Sequence, residues 1–352
     1  RGEYNVAQDY DLFLRVVDKT RKIGHIDKIL YHWRMTDGST SSGGSHKNYA
    51  YDAGKRALED YFKRNKIKAN VHLIGSPEMY RVEYLYQKEP KISIIIPTKD
   101  KASVLDTCLK SIYEKTKYSN YEVIVVDNNS SLKETFDLFD IYKEKYDNFK
   151  VLRLECEFNY SYLNNEAVKI ASGEYIVLLN NDTEVISPLW LHDMVGYASQ
   201  KHIGCVGIKL LYPDNLVQHA GVVLGYGGFA GHIYTAYSKD DCGLFGRLVM
   251  PYNYTAVTAA CMLIKKSKFL ETKGFDEKLT VALNDVDLCL QVLSKGYYNV
   301  CLSNITMYHY ESKSRGYEVT KSKQERFSKE ISYMEKKWKN IGEDKYFSKY
   351  NF

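Results

Sequence analysis

The sequence predicts an α/β fold with a mostly parallel central sheet covered by helices, and three observations predict it. Short runs such as 92–98, 121–127 and 175–179 are apolar on both faces, as strands buried on both sides must be. These runs alternate with amphipathic stretches long enough to form the helical crossovers that parallel strands require. Three runs end in polar clusters: Pro97-Thr98-Lys99-Asp100, Asp127-Asn128-Asn129-Ser130 and Asn180-Asn181-Asp182-Thr183. Ligands of doubly wound sheets bind outside the carboxyl ends of the strands, so the three clusters point at one crevice.

Taken in order, a helix opened by Gln8-Asp9 leads to a strand over 22–33. After the turn-rich stretch 36–45 comes a helix over 48–65, with Tyr51, Leu58, Tyr61 and Phe62 on one face. Residues 71–86 alternate like a short hairpin, and a boundary falls near Glu89-Pro90. From Lys91 the strands and helices run as strand 92–98, helix 103–115, strand 121–128, helix to about Tyr146, strand 151–155, helix near 161–171 and strand 174–182. Beyond Trp190 the regularity is lost, with mixed strands and a glycine-rich loop between His219 and His232. A helix from Asn284, burying Val286, Leu290 and Leu293, and a strand ending at His309 close the fold.

Composition sets limits on function. The chain has 352 residues, 44% hydrophobic and 26% charged, which is ordinary for a globular protein. Its longest apolar runs are far short of the roughly 20 residues that cross a bilayer. A net charge of +5 is spread too thinly for a nucleic-acid partner. Seven cysteines, an odd number without a CxxC pair, fit a reducing cytoplasm. The basic tail carries Phe327, Ile331, Met334 and Trp338 at helical spacing, and reads as a helix packing on its own domain rather than lying on an anionic membrane.

The sequence also repeats itself. Aligning Gln8–Val16 with Asn284–Val292 gives five identities in nine positions, among them Asp9 with Asp285 and Asp11 with Asp287. His32 follows Asp9 by 23 residues, and His309 follows Asp285 by 24. Acid, helix, strand and histidine therefore recur in order.

No glycine-rich dinucleotide fingerprint follows the first apolar strand and no GxxxxGK[ST] loop exists, which removes the main support for an oxidoreductase or a P-loop enzyme. A diphosphate would need another counter-charge, such as a divalent cation held by Asp182. An imidazole such as His309 biases that site toward manganese over magnesium. Asp285 lies in the first turn of a helix, whose dipole favours an anion, and suits a general base. Asp287, two positions on, faces about 200° away and takes a structural role.

The stretches ISIIIPTKD, VIVVDNNS, NNEAVKIASGEYIVLLNNDTEVI, VQHAGVVLG, TAACMLIKK, GFDEKL, NDVDLCLQVLSKGY and YHYESKSRG, in this order, resemble a family 2 glycosyltransferase with the GT-A fold over residues 91–315. The resemblance implies Pro97, Thr98, Asp100, Asp127, Asn165 and Asn181 as contacts to the nucleotide of a UDP- or dTDP-sugar. It implies Asp182 and His309 as ligands of Mn2+ or Mg2+, and Asp285 as the base that activates an acceptor hydroxyl with inversion. Here the family's DxD element is Asn180-Asn181-Asp182, with one carboxylate. The division expected is 1–89, the remnant of a preceding glycosyltransferase domain with a helical linker; 90–318, the catalytic domain; and 319–352, a helical tail. The parent protein is then a tandem enzyme. It is expected in the bacterial cytoplasm, with peripheral contact at the inner membrane face, adding hexose to surface or cell-wall polysaccharide, a lipid-linked glycan or a glycoprotein. Two other readings stay open: a metal-dependent nucleotidyltransferase gripping a triphosphate with Lys99 and Lys101, and a catalytically idle glycan-binding module.

Overall fold

A computed structural model describes residues 2–20, 22–24, 26, 28–32, 48–75, 79–310 and 320–347. They fall into two compact units, Arg1–Tyr86 and Gln87–Phe352.

The first unit contains α1 (Gln8–Val17), α2 (Asn48–Arg64) and an antiparallel hairpin of β1 (Ala69–Ile74) and β2 (Met79–Tyr84). Leu58, Phe62 and Val71 form its core, and Tyr10, Leu14, Tyr61, Tyr80 and Tyr84 pack around them. The strand expected over 22–33 does not form among the described residues; His25, Asp27 and Trp33 lie outside them. Ile23, Ile26, Ile29, Leu30 and Tyr31 are instead 65–76% exposed. The internal repeat supplies the reason. Leu12, Phe13 and Val16 of α1 are 50%, 67% and 43% exposed, whereas their counterparts Leu288, Cys289 and Val292 are each 0% exposed. The second copy packs on a large sheet, while in the first unit the described sheet is β1 and β2 alone. A strand without a neighbour leaves its amides and carbonyls unpaired, so the same pattern does not fold alike.

The second unit begins with β3 (Ile92–Thr98), α3 (Ala102–Lys115), β4 (Tyr121–Asp127), α4 (Lys133–Lys145), β5 (Phe149–Arg153), α5 (Tyr160–Ile170), β6 (Tyr175–Leu179) and β7 (Thr183–Val185). It continues with α6 (Trp190–Ala198), β8 (Ile203–Leu211), β9 (Val217–His219), β10 (Val222–Leu224), β11 (Ala230–His232), β12 (Pro251–Tyr254), β13 (Cys261–Lys265), α7 (Lys266–Glu271), α8 (Asn284–Ser294), β14 (Tyr298–His309) and α9 (Lys321–Lys337). The sheet order is β12-β14-β8-β13-β6-β3-β4-β5, with β7 paired to β14 and β9 to β8. Strands β6, β3, β4 and β5 run parallel, as do β14 and β8. Strand β13 is inserted antiparallel between β8 and β6. From β3 the chain builds outward through β4 and β5, then returns to add β6 on the other side of β3. That reversal opens a crevice at the ends of β3 and β6.

Two details correct the sequence reading. The region beyond Trp190 is more regular than expected, since β8 is nine residues long and buried throughout. On α8, Leu288, Cys289 and Val292 are buried, whereas Leu293 is only half-buried. Helix α9 packs on its own unit, anchored by buried Met334 and Glu330. The Glu330 carboxylate accepts from Thr280 Oγ1 at 3.1 Å and from the Val281 and Ala282 amides at 2.9 and 3.3 Å. Phe327 is 37% exposed and contributes less than its helical spacing suggests.

Candidate active site

The residues that end the central strands gather at the place where such sheets bind ligands. Thr98 closes β3, and its Oγ1 accepts from Asn181 Nδ2 at 2.9 Å, tying β3 to the turn after β6. Asp100 and Lys101 both adopt left-handed backbone, with φ of 50° and 58°. Such strain persists only where surroundings hold it. Here the Asp100 carboxylate accepts from the Ser131 and Leu132 amides at 2.9 and 3.0 Å, and the Asp100 amide donates to Ser130 Oγ at 2.7 Å. Burial would raise the Asp100 pKa, but those two amides outweigh it and hold the carboxyl below its usual range. Asp127, at the end of β4, is 1% exposed. It accepts from the Ser130 amide at 3.0 Å and pairs with Arg153 at 2.6 Å.

Asp182 and His309 meet through strand pairing. In the β7–β14 ladder Thr183 stands opposite His309, and the Tyr310 amide donates to the Asp182 carbonyl at 2.8 Å. His309 Nε2 lies 3.2 Å from Asp182 Oδ1 and 3.2 Å from Asn180 Nδ2. Adjacent ligands of an octahedral cation, each about 2.1 Å from it, stand about 3.0 Å apart, so the pair fits one edge of such a sphere. Among the described residues no cluster of three or more His, Cys, Asp or Glu is placed to hold a metal. Two protein ligands would leave the remaining positions to diphosphate oxygens and water.

Asp285 reaches the same end of the sheet through the segment 258–260. The Ala259 amide donates to Asp285 Oδ2 at 3.1 Å, and the Asn180 amide donates to the Ala260 carbonyl at 3.0 Å. Asp285 Oδ1 also accepts from the Val286 amide at 2.8 Å, within the first turn of α8. Leu283, just before this helix, is left-handed with φ of 60°. The Glu330 bonds to residues 280–282 support that strained entry. Two residues beyond Asp285, fully buried Asp287 pairs with Lys337 at 2.8 Å and accepts from Trp338 Nε1 at 2.8 Å. The phenol of Tyr160 donates to the Ala259 carbonyl at 3.1 Å. Burial pushes its pKa up, and the charges of Asp285 and Asp182 push the same way.

The structure thus joins Thr98, Asn181, Asp182, His309 and Asp285 at one end of the sheet, with Pro97, Asp100 and Asp127 in the adjoining strand ends. Asn165 does not belong with them. Its Oδ1 accepts from the Phe275 amide at 3.0 Å, and its Nδ2 donates to the Phe275 carbonyl at 3.0 Å and to Glu277 at 2.9 Å. Both ends of the amide clamp α5 to the turn at 275–277, so we remove Asn165 from the nucleotide-contacting set. The motif continuing past Tyr310, residues 311–316, lies outside the described residues.

Sequence reasoning missed Tyr160, Arg153 and Gln218. In sequence His219 only flanks a glycine-rich stretch. It is fully buried, with Nδ1 3.1 Å from His232 Nδ1 and Nε2 accepting from the Thr258 amide at 3.5 Å. Burial holds its pKa well below the usual value, reinforced by His232 and His309. Gly221 follows with φ of 126°, and a Cβ there would stand 2.6 Å from the Tyr254 ring, so this turn requires glycine.

Comparison with known proteins bears on the family and the fold. Residues 93–242 match the family model "Glycosyl transferase family 2". An uncharacterized protein, y4gI, of Sinorhizobium fredii is 45% identical over 343 residues, covering 96% of this chain and 38% of that protein. O-antigen biosynthesis protein RfbC of Myxococcus xanthus is 39% identical over 318 residues, covering 90% of this chain and 24% of that protein. The chain therefore spans well under half the length of either relative. Among solved structures, mannosyltransferase PcManGT from Pyrobaculum calidifontis, in complex with GDP-Man and Mn2+, aligns with a TM-score of 0.52 at 17% identity, covering 70% of this chain and 65% of that one. GalNAc-T7 with UDP, GalNAc and Mn2+ aligns with a TM-score of 0.54 at 16% identity, covering 68% of this chain and 47% of that one. The fold is GT-A, and residues 93–242 carry the match to glycosyl transferase family 2.

Proposed function

We propose that the second unit is an inverting, metal-dependent hexosyltransferase acting on a UDP- or dTDP-sugar. The carrying observation is the linkage of Asp182 and His309, through the segment 258–260, to Asp285. Asp285 accepts the proton of an acceptor hydroxyl. The acceptor oxygen then bonds to the anomeric carbon as the bond from that carbon to the diphosphate oxygen breaks, and the nucleoside diphosphate leaves with the electron pair. One displacement inverts the anomeric centre. A divalent cation held by Asp182 and His309 would supply charge neutralisation of the diphosphate. Thr98 and Asn181 shape the floor beneath the nucleotide, with Pro97, Asp100 and Asp127 at its base and ribose side. The UDP, GDP-Man and Mn2+ bound in the two similar structures support this class of donor and metal.

The acceptor proposed is a glycan, lipid-linked or protein-linked, in bacterial surface-polysaccharide synthesis, which the name of the Myxococcus relative supports. No helix among the described residues is long and apolar enough to cross a membrane, and we place the enzyme in the cytoplasm, in peripheral contact with the inner membrane face. We keep residues 1–89 as an appendage derived from a second glycosyltransferase domain. We group α9 with the catalytic domain, because Glu330 bonds the residues ahead of α8 and Trp338 bonds Asp287 within it.

The test is calorimetric titration with UDP, dTDP and GDP, with and without Mn2+, followed by donor hydrolysis and transfer assays. Asp285→Asn should retain nucleotide binding while turnover falls roughly 10²–10⁴-fold. Unchanged turnover removes Asp285 from the mechanism. Nucleotide binding with no hydrolysis or transfer on any donor favours the idle binding module, and pyrophosphate release from a nucleoside triphosphate favours the nucleotidyltransferase.

A further inference from the structure

We infer that Gln218 is the positioning residue that fixes the tautomer of His309, presenting the Nε2 lone pair to the cation and diphosphate. This rests on the proposed role of His309. Gln218 lies on β9 and is 6% exposed, and His309 ends β14, 91 residues away. Gln218 Oε1 stands 2.6 Å from His309 Nδ1. The amide can be oriented in two ways, and its contact with the His309 carbonyl distinguishes them. Gln218 Nε2 lies 3.4 Å from the main-chain carbonyl of His309 and can only donate there. Exchanging nitrogen and oxygen would set two carbonyl oxygens against each other. With the carbonyl fixing the amide, Oε1 must accept, and the proton of the imidazole sits on Nδ1.

Nε2 is then an acceptor. It faces Asn180 Nδ2, a donor, at 3.2 Å and Asp182 Oδ1 at 3.2 Å. A neutral imidazole with the opposite tautomer would donate from Nε2 to Asp182 and have no lone pair to offer a metal there. Partners that hold the second nitrogen of a ligating histidine set its tautomer and ring orientation. Such partners are often carboxylates; an amide does the same work without adding a buried negative charge beside Asp182. Gln218 grips both the ring and the backbone of one residue, so the ring direction is set together with the tautomer.

The test begins with the unsubstituted protein, free of metal and nucleotide. Long-range nitrogen–proton NMR spectra of histidine-labelled chain, at about pH 8 where free imidazole is neutral, should show His309 protonated on Nδ1. The resonance is assigned by its loss in His309→Ala. In Gln218→Leu the signal should move toward the Nε2–H tautomer, and Mn2+ affinity measured with UDP should fall roughly 10–100-fold. Gln218→Glu keeps an acceptor at Nδ1 and should keep the wild-type tautomer. An Nε2–H signature in the unsubstituted protein overturns the inference, as does a Gln218→Leu protein with unchanged tautomer and Mn2+ affinity. Because the spectra need neither donor nor turnover, failure of the transferase reading would leave the tautomer result standing, and the reverse also holds.

Discussion

Glu122, at the second position of β4, is 1% exposed and ties the parallel half of the sheet together. Its carboxylate accepts from Ser93 Oγ on β3 at 2.6 Å, from the Ser172 amide after α5 at 2.7 Å, and from Lys150 Nζ on β5 at 2.7 Å. Burial alone would raise its pKa, but Lys150, Ser93 and Ser172 outweigh it and lower the value from 4.5 to about 2. The difference of about 2.5 units, at about 1.4 kcal/mol each, corresponds to about 3 kcal/mol of stability. Since the folded-state value lies below the unfolded one, this contribution is complete above about pH 4.5 and is lost as pH falls toward 2, with roughly half gone by pH 3. Glu122→Gln keeps the shape and deletes the charge. Urea unfolding should find it about 3 kcal/mol less stable at pH 7, with the gap to wild type narrowing steadily below pH 4.5. A gap that is absent at pH 7, or that stays constant from pH 6 to pH 3, would refute the assignment of stability to this carboxylate.

Three further substitutions probe the crevice and its support. Asp182→Asn should raise the dissociation constant for Mn2+ in the presence of UDP at least about tenfold by calorimetry, while metal-free UDP binding changes little. Glu330→Ala leaves two amides and a hydroxyl at residues 280–282 without their acceptor; it should cost about 2–3 kcal/mol in urea unfolding and lower kcat by loosening the strained entry at Leu283. Trp338→Phe removes one donor to the buried Asp287 and should cost about 1–2 kcal/mol, with kcat affected less than in Glu330→Ala.

The strands β3, β4 and β6 were legible because they are buried on both faces, which leaves continuous apolar runs that solvent-facing strands do not have. Strands β9, β10 and β11 have three residues each, too few for any period, and they exist through pairing with distant chain. The site divides along the same line. Asp182 and Asp285 stood out because a carboxylate at a strand end or helix opening needs a reason. Gln218 did not, because a neutral amide acquires its role only when β9 and β14 flank β8 and bring it to His309. Asn165 failed for a different reason. Resemblance supplied its position but not its direction, and neighbours on a helix point about 100° apart. Asn164, one residue earlier, is fully buried, while Asn165 turns to Phe275. The repeat carries the point further. Residues 8–16 and 284–292 share the acid and apolar spacing of one helix, yet Leu12 and Phe13 are bare where Leu288 and Cys289 are sealed. The spacing states which face must be covered, and only the sheet beneath α8 determines that it is, so the acid on that helix gains its partner Ala259, and through Ala260 a link to Asn180, from tertiary pairing rather than from its own segment.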